Sequence, residues 1–443
     1  MDQRQVPDSA VPATLLQPGA VGFWVAVVLT GVGAGIGAAV LTQLLEAIQH
    51  LVWPGPNLLE AASHAVAWRH VLILLGAGVL TGAGQLVIHR LSSANGIDIS
   101  EAIALFAGRL PIWRTIASAL LSVLLVGMGA SLGREGAPKQ MGAVMANLLA
   151  DRRHLSDEQR KLLVACGAGA GMAAAYGVPL GGALFALEVL RGVLALRLVL
   201  PALLASAVAT GISWLALPNA PTYVIPSYTT SLSVVLWALL AGPVAGFVSV
   251  LYIRAIAWAD RSKPTGWLRV VAPCAALGFI GVVSIAYPEI LGNGKDVTQL
   301  AFTHQVAPLL LLTLLLLKPL ATVLCLGSGV PGGLFTPSLT LGALLGGLLG
   351  YVWGLFWPGV PPGLFAIVGA AAVLAASTHG PISAIVLVLE LTGRDRSIIL
   401  PLVLAVGTAT LVARSIDRRS IYDARFTDRK ISELQQARSP TAT

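Results

Sequence analysis

The sequence predicts an all-α, polytopic membrane protein built from two repeats. Of its 443 residues, 56% are hydrophobic and only 11% are charged, whereas a soluble domain carries about 25% charged residues. Apolar segments follow one another along most of the chain, and several are shorter than the about 20 residues that a helix needs to cross a bilayer. Short hydrophobic segments that are broken by glycine or proline indicate partial helices lining a buried site.

Composition divides the chain into five parts. These are a polar N-terminal tail (1–19), a first membrane repeat (20–217), a linker rich in proline (218–231), a second membrane repeat (232–426) and a C-terminal tail (427–443). The apolar segments predicted within the two repeats are 20–49, 70–91, 112–132, 136–150, 161–176, 178–190, 195–217, 232–258, 266–287, 307–326, 333–356, 363–377, 381–392 and 397–413.

An internal repeat relates the two halves. In residues 167–188 and 369–390, Pro179 corresponds to Pro381 and Glu188 to Glu390, with one offset of 202 positions. Paired broken helices at matching positions in two repeats are typical of a transport site. Each glutamate ends an apolar helix beside a turn of small residues, so we interpret both as carboxylates that cap the amides of a neighbouring loop.

The segment 127–141, GMGASLGREGAPKQM, places Arg134 and Glu135 between two apolar runs. An ionisable pair at membrane depth indicates a functional site. Pro138 suits the first turn of a helix, so a helix is predicted to begin here with free amide groups. Helix N-termini attract anions, and the segment therefore predicts an anion path that is gated by Glu135.

A second loop without large side chains at its start, 327–337, reads GSGVPGGLFTP. Its glycines and serine expose backbone amides, and the apolar run that follows is predicted to open a second helix aimed at the same place. Two helix N-termini that face each other would hold an anion without a full charge, and weakly enough to release it. A tight membrane turn without a ligand is the alternative for this loop.

Charge and cysteine usage exclude several classes. The net charge of +8 comes mostly from basic residues between apolar segments and from six in 414–430, which predicts a cytoplasmic C-terminus rather than nucleic-acid binding. The three cysteines and seven histidines form no metal-binding spacing, so we expect no cofactor, no metal and no enzymatic activity. Lys318 is interpreted as a side chain that reaches an interface or pairs with a carboxylate, and 151–161 as a solvated loop.

The motifs GREGAP (133–138), GSGVPGGLFTP (327–337) and SIYDARF (420–426) occur in this order. They resemble the signature segments of the CLC chloride channel and transporter family, most of all its bacterial branch, over about residues 20–426. The resemblance implies two inverted repeats with broken helices. Because only about 20 residues follow Tyr422, we expect no cytoplasmic regulatory domain of the kind that some relatives append. The resemblance also implies a homodimer in a bacterial inner membrane, in which each subunit has its own pore.

The same resemblance implies roles for individual residues. Glu135 corresponds to the gating glutamate of the family. The anion site corresponds to the backbone at Gly136, Leu334 and Phe335 and to the hydroxyl of Tyr422. The filter loops take in Arg134, Gly329, Pro331 and Gly333.

Two departures from the family pattern leave the transport mode open. Where the family usually has Gly-Ser-Gly-Ile-Pro, residues 92–98 read SSANGID, so either Asn95 donates to the anion or the filter has another shape. The inner glutamate of proton-coupled members corresponds here to Val189, which cannot relay a proton. The sequence therefore favours a passive chloride channel, with a proton-coupled chloride antiporter as the alternative.

Two rival classes are weighed beside these transport modes. A sodium-coupled solute carrier would share the broken helices but would require sodium for uptake. An intramembrane hydrolase would need a nucleophile with a base or a metal pair, and the sequence offers no such motif.

Overall fold

A computed structural model describes residues 12, 17, 19–91, 98–393, 398–426, 431 and 433. Over these residues the regular structure is helical, and strand-like pairing is limited to one isolated bridge between Gly133 and Gly333. The predicted all-α class is confirmed.

Helices α1 to α9 form the first half. They are α1 (Ala20–Val52), α2 (Leu58–Ser63), α3 (Ala67–Leu91), α4 (Ile99–Leu105), α5 (Ile112–Gly127), α6 (Gly136–Arg152), α7 (Asp157–Tyr176), α8 (Pro179–Phe185) and α9 (Leu196–Ser213). A π-helical turn, Ala186–Arg191, continues α8.

Helices α10 to α17 form the second half. They are α10 (Leu232–Arg261), α11 (Leu268–Val283), α12 (Lys295–Phe302), α13 (Pro308–Ser328), α14 (Phe335–Gly354), α15 (Pro362–Thr378), α16 (Pro381–Thr392) and α17 (Ile399–Ile416). Short 3-10 turns cover Pro288–Ile290 and Asp423–Arg425.

Within the described ranges, seven helices are long and apolar enough to cross a membrane: α1, α3, α9, α10, α13, α14 and α17. Between them lie α7 and α15, which are buried along almost their whole length and are rich in alanine and glycine. Small residues let helix backbones approach closely where lipid provides no hydrophobic drive between helices. The chain is a multi-pass membrane protein.

The two halves pack in the same pattern. In the first half α1 packs against α6, α7 and α9, and in the second half α10 packs against α14, α15 and α17. Across the halves α3 packs on α11, and α8 packs on α16. Equivalent helices thus meet their counterparts around one pseudo-symmetry axis.

Two reciprocal contacts show that the repeats are inverted. Glu188, late in the first repeat's helix pair, accepts a hydrogen bond from the amide of Ser383 at the start of α16 (2.6 Å). Glu390, late in α16, accepts one from the amide of Gly181 at the start of α8 (2.6 Å). The end of each helix meets the beginning of the other, so the two run antiparallel, as an inverted repeat requires. The predicted capping role of both glutamates is confirmed.

The interpretation of 151–161 as a solvated loop is wrong at both ends of the segment, because α6 extends to Arg152 and α7 covers the residues from Asp157 on. Helix α7 begins at Asp157, where Ser156 and Gln159 form a capping box. Arg160 is buried and donates to Asp151 and to Asn147 (3.1 Å to the latter). A capping box at the start of a helix satisfies orphan amides, and the polar composition of the segment reflects this cap.

Lys318 also differs from its predicted role. Its ammonium group is buried and donates to three successive backbone carbonyls, those of residues 290 (2.8 Å), 291 (3.1 Å) and 292 (2.8 Å). It therefore neither reaches an interface nor pairs with a carboxylate. A lysine ammonium has three donors and no acceptor, and here all three tie α13 to the loop before α12.

Candidate functional site

Two helices begin at the same place in the middle of the molecule. Helix α6 starts at Gly136 and α14 at Phe335. The loops before them are joined by the Gly133–Gly333 bridge, in which each amide donates to the other residue's carbonyl at 2.8 Å. The two loops that the sequence marked separately thus lie side by side, one from each repeat.

The carboxylate of Glu135 lies at the N-terminus of α14. Its side chain is fully buried. One oxygen accepts a hydrogen bond from the amide of Phe335 (2.6 Å), and the other accepts one from the hydroxyl of Thr336 (3.1 Å). The positive end of a helix dipole favours negative charge at this point. A carboxylate of the first repeat therefore lies at the start of a helix of the second, where negative charge is favoured.

The glycines of the bridge leave room for this carboxylate. A Cβ atom added at Gly133 or at Gly333 would collide with the Glu135 carboxylate itself. The glycine pattern is thus required by the close approach of a side chain to both backbones.

Thr336 and Tyr176 surround the carboxylate, and sequence reasoning missed both. The hydroxyl of Tyr176 lies 2.8 Å from that of Thr336, and the guanidinium of Arg134 lies 5.0 Å from the centre of the Tyr176 ring. Thr336 could have been found as the next residue after Phe335 at a helix start. Tyr176 ends an apolar run and carries no comparable signal in the sequence.

An aromatic pair lies beside the site. The rings of Tyr422 and Phe185 meet edge to face at 6.1 Å, and the Phe185 ring also lies 6.4 Å from that of Phe335. The hydroxyl of Tyr422 is buried and has no hydrogen-bond partner in the part of the chain that the structure describes. The ammonium of Lys139 lies 5.1 Å from the centre of the Tyr422 ring. Sequence reasoning missed Lys139, although a lysine directly after GREGAP in an apolar run was visible.

Two cavities approach the carboxylate. The outer cavity, as we name it, is about 320 Å³ and is lined by Arg134, Glu46 and Lys295 among others. The inner cavity is about 470 Å³ and is lined by Gly136 and Tyr422 among others. The side chain of Glu135 is fully buried and lines neither cavity, but its chain neighbours do: Arg134 lines the outer cavity and Gly136 the inner one.

Four of the other predicted site residues line the inner cavity, and one lies outside the residues that the structure describes. Gly329, Pro331, Gly333 and Leu334 all line the inner cavity. Asn95 lies outside the described residues. Val189 is buried in the π-helical turn after α8.

Comparison with known proteins gives one family. Residues 77–414 match the family described as voltage gated chloride channel. A putative chloride channel protein, ClcB-like, of Ralstonia nicotianae is 33% identical over 406 residues, which cover 87% of this chain and 93% of that protein. The H(+)/Cl(-) exchange transporter ClcA of Vibrio vulnificus is 31% identical over 378 residues, 80% of each chain.

A solved structure supports the fold. The crystal structure of a slow cyanobacterial Cl−/H+ antiporter superposes with a TM-score of 0.80 at 22% identity, covering 96% of this chain and all of that one. The predicted architecture of inverted repeats with broken helices is confirmed.

Proposed function

Because this chain belongs to the voltage gated chloride channel, or CLC, family, we propose that it conducts chloride passively through a gate formed by Glu135. The observation that carries the proposal is the position of the Glu135 carboxylate, which is bound by the Phe335 amide and the Thr336 hydroxyl at the start of α14. An anion that enters this position has to displace the carboxylate first.

The gate follows from competition between two negative charges for one set of donors. While Glu135 is ionised, its carboxylate accepts the hydrogen bond of the Phe335 amide and would block passage between the two cavities. A proton on the carboxylate removes its charge, and the donors are then free for chloride. Removing the charge of this carboxylate is therefore expected to raise conduction.

Proton-coupled chloride exchange is the second candidate. It is favoured by the similarity to a relative named as an H(+)/Cl(-) exchange transporter and by a gate that binds protons and competes with anions. The residue that argues against it is Val189, which offers no proton acceptor on the inner side. An exchanger would need another proton route, for example through water in the inner cavity.

The setting of this activity is also part of the proposal. The protein would act as a homodimer of subunits with separate pores, in a bacterial inner membrane, with chloride and lipid as its partners and no enzymatic step. The basic residues of 414–430 favour a cytoplasmic C-terminus. The inner cavity, whose wall includes Tyr422 and Arg425, would then open to the cytoplasm.

The first prediction compares wild type with Glu135→Gln in liposomes that are loaded with high chloride. Chloride release and external pH are recorded together. The neutral amide leaves the donors of α14 without a charged competitor, so chloride release should rise several-fold. Wild type should release chloride without moving protons.

Glu46→Gln is the matched control, because Glu46 lines the outer cavity but does not touch the donors of α14. It should release chloride at the wild-type rate. Uphill proton movement driven by the chloride gradient in wild type would establish exchange in place of passive conduction. Equal chloride release by wild type and Glu135→Gln would show that the Glu135 carboxylate is not a gate.

A further inference from the structure

The inner cavity contains a charged side chain that the proposed function does not use. Lys139 lies one turn into α6, and 6% of its surface is exposed. Its ammonium lies 5.2 Å from the centre of the Phe185 ring and 5.1 Å from that of the Tyr422 ring. Within the described ranges it makes no hydrogen bond and no ion pair.

An ammonium group in this state lacks a partner. Cation–π contacts with two rings hold its position, but they leave its three hydrogen-bond donors unmet. A buried charge without a hydrogen-bonding partner is costly. Because Lys139 lines the inner cavity, the partner has to come from that cavity.

The surroundings favour a negatively charged partner. The Tyr422 hydroxyl, which also lines this cavity, is buried without a hydrogen-bond partner among the described residues. Two other basic side chains of the cavity wall have carboxylate partners: Lys263 pairs with Asp260 at 2.6 Å, and Arg425 pairs with Asp260 at 3.1 Å and with Asp98 at 3.8 Å. Lys139 differs from both because its charge has no carboxylate within ion-pair distance.

We propose that Lys139 is a direct anion ligand, and that a monovalent anion in the inner cavity binds between its ammonium and the hydroxyl of Tyr422. This inference rests on the proposed function and adds a charged ligand to the backbone amides and hydroxyl of the proposed path. The anion would be held more tightly than by backbone amides alone, since hydrogen bonds to charged groups are about twice as strong as neutral ones. The small size of an ammonium favours compact inorganic anions such as halides and nitrate over organic ones.

The test measures chloride binding to the purified, full-length protein by titration calorimetry, and chloride release from liposomes in parallel. Lys139→Met keeps the length of the side chain and removes its charge, so the Kd for chloride should rise about tenfold or more. Lys139→Arg keeps the charge and should stay within about threefold of wild type. Lys161→Met is the matched control, because Lys161 lines neither cavity and is paired with Glu158 at 2.7 Å, and this variant should bind chloride as wild type does.

Chloride binding by Lys139→Met with the wild-type Kd would overturn the proposal. An equal loss in Lys139→Arg and Lys139→Met would also overturn it, because a packing role would then explain both. If Lys139→Met does not elute as a folded protein, Lys139→Gln is measured in its place with the same expected loss. If the wild-type protein binds chloride but does not carry it across the membrane, the proposed function is wrong. The binding data of the Lys139 variants then decide by themselves whether Lys139 is an anion ligand.

Discussion

The place of the Glu135 carboxylate is set by a few atoms that surround it. Glu135 reaches the amide of Phe335 only because Gly133 and Gly333 have no side chains in the way. The hydroxyl of Thr336 supplies the second contact. At this scale the gate depends on missing Cβ atoms as much as on the residues that donate hydrogen bonds.

The second prediction at this scale concerns Gly333→Ala. The new methyl group would occupy the space of the Glu135 carboxylate, and overpacking of this kind costs about 1–3 kcal/mol. We expect the carboxylate to be displaced, so chloride release from liposomes should rise toward that of Glu135→Gln. In a Glu135→Ala background the same methyl group finds space, so it should then change neither release nor thermal stability.

Gly327→Ala is the control for this experiment, since a Cβ there meets Ala259 only at an ordinary contact distance of 3.4 Å. It lies in the same loop region and should behave as wild type. Wild-type chloride release by Gly333→Ala, in a variant that folds normally, would show that the carboxylate does not need the space seen in the structure.

At the scale of elements, the halves are fastened by two glutamates at equivalent positions. Glu188 accepts from the amides of Ile382 and Ser383, and Glu390 accepts from those of Leu180 and Gly181. Each carboxylate thereby satisfies orphan amides of a helix in the other repeat. Each contact is thus a charged cap from one repeat to the other. Without it, the first amides of two short helices would be unpaired in an apolar environment.

The third prediction is that Glu188→Gln and Glu390→Gln each lower the Tm by several degrees. Glutamine keeps one acceptor oxygen but loses the charge, which weakens contacts of about 1.5–3 kcal/mol. Thermal unfolding in detergent measures the effect, and Glu60→Gln, an exposed glutamate at the start of α2, is the control. A Tm within one degree of the control for both variants would mean that these caps contribute nothing to stability.

The sequence predicted the internal repeat and the two glycine-rich loops, but not several side-chain contacts between elements. The offset between Glu188 and Glu390 and the two glycine loops predicted the repeat and both halves of the site, because backbone-driven features leave a local pattern. Lys318 and Arg160 were misread, since their partners are backbone carbonyls or residues of another turn. Tyr176 and Lys139 join the site only through tertiary packing, which no local spacing encodes.

At the scale of the whole molecule, the surface around the α8–α16 pair remains apolar and open. Leu180 and Ile382, which occupy equivalent places in the two repeats, are 52% and 46% exposed. Neighbouring positions on α9 and α17, such as Leu200 and Leu411, are exposed as well. A surface that repeats its pattern about the pseudo-symmetry axis suits contact with a second copy of the chain, and we place the proposed dimer interface here.

The last prediction tests this placement together with the independence of the two pores. Leu180→Trp combined with Ile382→Trp adds bulk at the centre of the surface, where close packing would be needed. Light scattering in detergent should then find one subunit per particle instead of two. Because both cavities and the Glu135 contacts lie within a single subunit, the monomer should still release chloride from liposomes at about the wild-type rate per subunit.

Leu316→Trp, on the exposed face of α13, is the control and should leave the dimer intact. A dimer that persists in the double variant would place the interface elsewhere, whereas a folded monomer that carries no chloride would show that the pore needs its neighbour.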